Sequence, residues 1–139
     1  MDIRVYLNMN KDIADKQDIR RLVDTFYVKV KADPEIGFFF TEVVELDWQV
    51  HIPIMYDFWD NILFGNMGYK GNPVLKHVEL HQKHPIKKVY FDRWLELFNA
   101  TLDELFEGKV TELVKNKANT MAQLMMYKIE QSGNKGYVQ

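Results

Sequence analysis

Histidines and aromatic residues carry most of the chemistry open to this chain. His77, His81 and His84 stand four and three residues apart, a ligand-like spacing for a transition metal such as zinc if Glu79 or Asp92 completes the set. Pro85 follows at once and marks a helix end, so a common face for all three histidines is not expected. His77 itself arises in an apolar setting, with Val74 three back, Val78 one on and His81 four on sharing or flanking its helical face. A lone histidine there is ordinarily a satisfied core residue. Three more polar-capable groups, Tyr27, His51 and Trp94, each stand in the apolar stripe of a different segment. Buried polar tips need partners. Three of them on separate helices are explained economically by one apolar pocket with polar groups at its wall, and a histidine across such a pocket suits haem iron.

Other chemistries find little support. The chain has no cysteine, which excludes disulfides, thiolate metal sites and cysteine catalysis. Its acidic residues fall at caps and on polar faces, without a catalytic carboxylate pair. Gly65 to Gly71 lacks a Lys-Ser/Thr sequel and follows a helix and not a strand, so it reads as a loop and not a phosphate cradle. A net charge of -2 offers no basic surface for nucleic acid. No apolar run reaches the roughly 18 residues that a membrane span needs. The opening MDIRVYLNMNKD has no basic region leading into an apolar stretch, so a soluble, cytoplasmic protein is expected.

The elements that must position these residues follow from periodicity. Residues 1 to 10 are ambiguous. Three aspartates between Asp12 and Asp18 precede a first long helix whose apolar positions Ile19, Leu22, Val23, Phe26, Tyr27 and Val30 keep a 3.6-residue period, and Asp33-Pro34 stops it. Ile36-Gly37-Phe38-Phe39-Phe40 reads as an apolar corner turning at Gly37. Asp47 caps a second helix carrying Trp48, His51, Ile52, Met55, Phe58, Trp59, Ile62 and Leu63, with Pro53 expected to distort its first turns. The helix ends at Gly65-Asn66, and a loop holding Tyr69 follows. A short helix starts at Pro73, where the missing N–H costs nothing, and carries His77. A fourth helix runs from Val89 through Phe91, Trp94 and Phe98 to Leu105 or Phe106. The last carries Val110, Leu113, Val114, Ala118, Met121, Leu124, Met125 and Ile129. The result is an all-α fold in one domain over 139 residues, a natural length for a single core, with a loose tail from about 131. Aromatics make up 14% of the chain, more large rings than a plain bundle of this size needs.

In that order and spacing the chain resembles the truncated haemoglobins of the third group over roughly residues 15 to 130. The resemblance rests on Phe26-Tyr27, on Trp48-x-x-His51 leading to Met55-x-x-Phe58-Trp59 and Ile62-Leu63-Phe64, on Tyr69-x-Gly71-Asn72-Pro73-x-x-x-His77, and on Trp94-Leu95-x-Leu97-Phe98. Glycine-glycine pairs are lacking, as in that group. The implied fold is a truncated globin, two helix pairs sandwiching haem b. By the same resemblance His77 is the proximal iron ligand, while Tyr27, His51 and Trp94 line the distal, gas-binding side. Phe40 packs against the haem edge, Met55 forms an apolar ceiling, and His51 either donates to the ligand or gates its entry. Lys76, Lys83, Lys87 and Lys88 are candidates to meet the propionates. The implied activity is reversible binding of dioxygen, carbon monoxide or nitric oxide by a monomer. A polar distal pocket also suits detoxification of nitric oxide or peroxide with a reductase partner. The alternative from another class is a cofactor-free helical protein-interaction module whose aromatic stripes are simply core, and a Soret absorption band separates the two.

Overall fold

The structure, a computed structural model, describes residues 10–44 and 46–132. The ambiguous first nine residues, and residues 133–139 of the expected tail, lie outside these. Helix α1, Lys16–Ala32, begins where the Asp15 carboxylate accepts the Asp18 amide, and it buries Ile19, Leu22, Val23, Phe26, Tyr27 and Val30 on one face. The stripe read from periodicity is thus the face that packs. Of Asp12, Asp15 and Asp18, only Asp15 caps this helix, and Asp18 lies in its first turn. Asp12 instead accepts the amides of Val110 and Thr111 and the Thr111 hydroxyl, closing the start of the last helix from the other end of the chain.

The corner after α1 differs from a simple turn at Gly37. The chain passes into one π-helical turn, Phe39–Val43. Gly37 is required by proximity, since a Cβ there would lie 2.9 Å from the Lys31 carbonyl oxygen. Asp33 organises the corner. Its carboxylate accepts the amides of Glu35 and Ile36 and, at 3.0 and 2.7 Å, the Nε and Nη2 of Arg93, so the corner is tied to the fourth helix.

Helix α2, Trp48–Phe64, starts on the Asp47 carboxylate and ends at Gly65, whose φ of 71° only glycine adopts freely. Pro53 does not interrupt it: the helix runs unbroken, with Phe58 and Trp59 buried in its second half. Helix α3, Pro73–Lys83, has proline in its first turn and the Asn72 side chain accepting the Leu75 amide. Helices α4, Lys88–Leu105, and α5, Lys109–Ser132, complete the described residues, with α5 continuing past the point where the loose tail was expected.

Helix α1 packs on α2 and α4, α4 packs on α5, and α5 packs on α3. The main apolar core joins α1, α2 and α4 through Phe26, Trp59, Phe98 and Leu102, while Val78, Phe91, Ala122, Met125 and Ile129 form a smaller one beneath α3. Leu95 and Met121 border both. The fold is all-α, and α3 is held against the α4–α5 side while Tyr27 and His51 belong to the α1–α2 side.

Candidate functional site

His77 stands on the second turn of α3, placed by the Asn72 cap and by the burial of its neighbour Val78. Its Nδ1 lies 2.6 Å from the Pro73 carbonyl oxygen. A carbonyl can only accept, so Nδ1 carries the proton and Nε2 presents a free lone pair, the arrangement a metal-ligating imidazole needs. Burial pushes the His77 pKa below the ordinary histidine value, against the opposing pull of the Pro73 carbonyl. The ring is kept neutral. Phe91 of α4 lies beside it, with ring centroids 6.4 Å apart.

The other two histidines of the His77–His84 set have local duties. His81 Nδ1 accepts the Ile86 amide at 2.8 Å, closing the end of α3. His84 packs edge-on against Phe38 and Phe39, at centroid distances of 5.1 and 5.2 Å. No group of three histidine, aspartate or glutamate side chains that could hold a metal ion converges among the described residues. The reason is geometric: the helix ends at Lys83, which turns His84 away from the face of His77.

Tyr27, His51 and Phe40 come together on the opposite side. The Tyr27 ring meets His51 edge-on at 5.6 Å, Phe40 at 6.0 Å and Trp48 at 5.6 Å. Trp94 lies one ring away through Phe26, which contacts both, and Met55 packs half-buried one turn beyond His51. The Tyr27 hydroxyl and the Trp94 indole N–H donate no hydrogen bond among the described residues. Burial raises the Tyr27 pKa, so the phenol stays protonated and remains a donor. His51 is the most exacting feature. Its Nε2 is buried without a partner, one of two such side-chain atoms among the described residues, the other being Asn99 Oδ1. Burial lowers the pKa of His51, and the nearby His77, against which a second positive charge is disfavoured, lowers it further. His51 on α2 and His77 on α3 are thus close enough to influence each other electrostatically.

Two residues that complete this arrangement were legible only as apolar positions. Trp48, three before His51, contacts Tyr27, Phe40 and His51 and lies under the Lys31 ammonium at 4.4 Å. Phe91 flanks His77. Of the four lysines considered for propionates, Lys88 pairs with Asp92 at 2.8 Å.

A family model described as bacterial-like globin matches residues 8–129. The chain is 28% identical over 126 residues to the group 3 truncated hemoglobin ctb of Campylobacter jejuni, covering 86% of this chain and 97% of that protein. Its fold matches the crystal structure of group III truncated hemoglobin from Campylobacter jejuni with a TM-score of 0.77 at 26% identity, over 87% of this chain and 95% of that one. The architecture is the truncated globin fold, and the chain belongs to the bacterial-like globin family.

Proposed function

We propose that the protein holds haem between His77 and the face made by Tyr27, His51 and Trp94, and binds dioxygen, carbon monoxide or nitric oxide reversibly there. Membership of the globin family supports haem binding over a cofactor-free helical module. The observation that carries the reading is the orphaned His51 Nε2, taken with the nearby His77, whose own Nε2 lone pair is left free by the Pro73 carbonyl. A buried polar atom without a partner costs about 1–3 kcal/mol, and a ligand group in the intervening space removes that cost. These residues fit haem. With no cysteine in the chain for covalent attachment, the b type is the form supported.

When bound, the haem iron supplies reversible coordination of a diatomic gas. The protein's part is positioning. His77 offers its Nε2, held in one tautomer and one orientation by Pro73. Tyr27, His51 and Trp94 offer donors to the far end of a polarised gas molecule, and the surrounding Phe26, Phe40, Trp48 and Met55 keep water from competing. Several donors at one ligand favour tight retention over delivery, which supports nitric oxide or peroxide detoxification with an electron-donating reductase.

Titrating the purified protein with haemin tests the reading, with a Soret band at one haem per chain expected. His77→Ala is expected to abolish stable retention or to leave it dependent on added imidazole. His81→Ala and His84→Ala keep the pigment, because those rings serve the end of α3. Loss of haem in either of these variants, with retention in His77→Ala, overturns the assignment.

A further inference from the structure

The rings of the main core form a continuous series from the candidate gas site to the surface. Trp94 lies nearly parallel to Phe98, with centroids 5.0 Å apart and planes 8° apart. Trp59 lies nearly parallel to the same Phe98 at 5.2 Å and 19°. Phe58 meets Trp59 edge-on at 5.3 Å and meets Tyr69 at 5.0 Å. Tyr69 is half-buried and lines a surface hollow of about 130 Å³ with Ile54, Asp57, Gly68 and Lys70. Packing alone needs large rings in these places, but it does not need every second one to be an easily oxidised indole or phenol.

We propose that Trp94, Trp59 and Tyr69 are a relay that carries oxidising equivalents out of the haem site to the protein surface, where Tyr69 is the terminal electron donor. The proposal rests on haem binding as argued above. Phe98 and Phe58 act as bridging contacts, since phenylalanine is too hard to oxidise to hold the charge itself. An alternative exit from Tyr27 through Trp48 is disfavoured, because the Lys31 ammonium over the Trp48 ring opposes a positive charge there. Trp59, only 4% exposed, and Phe98, 1% exposed, keep the intermediate stage away from water.

Hydrogen peroxide is the oxidant. It takes two electrons and two protons to become two molecules of water. Each electron leaves Tyr69, passes to Trp59 and then to Trp94, and each departure releases the phenolic proton of Tyr69 to solvent. One Tyr69 yields one phenoxyl radical at a time, so the second electron follows only after a reductant has returned the radical to the phenol. A thiol or other one-electron reductant restores it, and without one the single radicals on two molecules couple through a new carbon–carbon bond to dityrosine, each ring then losing a proton.

The test treats the haem-loaded protein with hydrogen peroxide and no added reductant, and reads radicals by electron paramagnetic resonance and modified residues by mass spectrometry. Tyr69 is expected to be modified in preference to Tyr127, although Tyr127 is 55% exposed. Tyr69→Phe loses the dityrosine cross-link. Trp59→Phe, which keeps a ring in the stack, loses it too, and Trp59→Tyr, which restores an oxidisable ring, recovers it. Equal modification of Tyr69 and Tyr127, or Tyr69 oxidation undiminished in Trp59→Phe, overturns the relay. A normal Soret band with no oxidation at Tyr69 overturns the relay alone, whereas absence of haem binding overturns the functional reading and the relay with it.

Discussion

Tyr27 shows how a single side chain is prepared for a task by its surroundings. Phe26 and Phe40 fix its ring by edge contacts, burial keeps the phenol protonated, and no described neighbour consumes the hydroxyl. A donor held ready in this way loses little freedom when an acceptor arrives. A hydrogen bond to a partly charged acceptor contributes about 1.5–3 kcal/mol, and each 1.4 kcal/mol or so is a tenfold change in an equilibrium. Tyr27→Phe in the haem-loaded protein is therefore expected to raise the dioxygen dissociation rate about tenfold or more. Carbon monoxide, which gathers less charge, is expected to leave at a nearly unchanged rate. Stopped-flow displacement of dioxygen by carbon monoxide measures both, with Trp94→Phe alongside because donors in one network need not add. An unchanged dioxygen rate assigns the donor function to Trp94 or His51, and a slower one makes Tyr27 a competitor for the true donor.

The helices hold their positions through two kinds of signal, and only one can be read locally. The Asn72 cap, proline in the first turn of α3 and the glycine at the end of α2 act within a few residues, so the helix that carries His77 was evident from its own sequence. The stripe on α1 that carries Tyr27 was evident for the same reason. Asp12 is the counter-example. It precedes α1 and looks like its cap, yet its hydrogen-bonding partners Val110 and Thr111 are 98 and 99 residues away. Arg93, beside Trp94, likewise meets Asp33 across 60 residues, and nothing in either local sequence names the other. Trp48 and Phe91 sat at apolar positions of the right period, but a period does not say which rings meet a histidine. Asp12→Ala removes an N-terminal cap and leaves the candidate site untouched. It is expected to destabilise the fold by about 0.5–2 kcal/mol, seen as a lower urea midpoint at unchanged slope, with haem affinity retained. A loss of haem affinity equal to that in His77→Ala would show instead that the start of α5 shapes the site.

At the scale of the whole molecule, the fold holds two partly buried imidazoles, one on each helix pair, close enough to influence each other. Burial is the main reason that both pKa values lie below the unfolded value of about 6.5. The folded protein therefore binds fewer protons than the unfolded chain in the interval below that value, and stability falls as the solution is acidified through it. The contribution is complete above about pH 6.5 and is lost progressively as pH drops toward the depressed folded values. A second loss belongs to the carboxylates. Asp12, Asp18 and Asp33 are pulled toward higher values by burial, but the amide, hydroxyl, Lys11 and Arg93 hydrogen bonds prevail and hold all three low. Their contribution persists until about pH 3.9 and fades below it. Acid unfolding of the haem-free protein is thus expected in two stages, separated because the histidines resist charging while the carboxylates resist discharging. Urea unfolding followed from about pH 8 to about pH 3 measures both stages. Replacing His51 and His77 together by phenylalanine, which keeps ring volume and removes the titration, is expected to flatten the first stage and leave the second. Stability that does not change across the first interval in the parent protein, or an equal slope in the double variant, would mean that burial does not hold the two imidazoles neutral, and the placement of the haem beside them would lose that support.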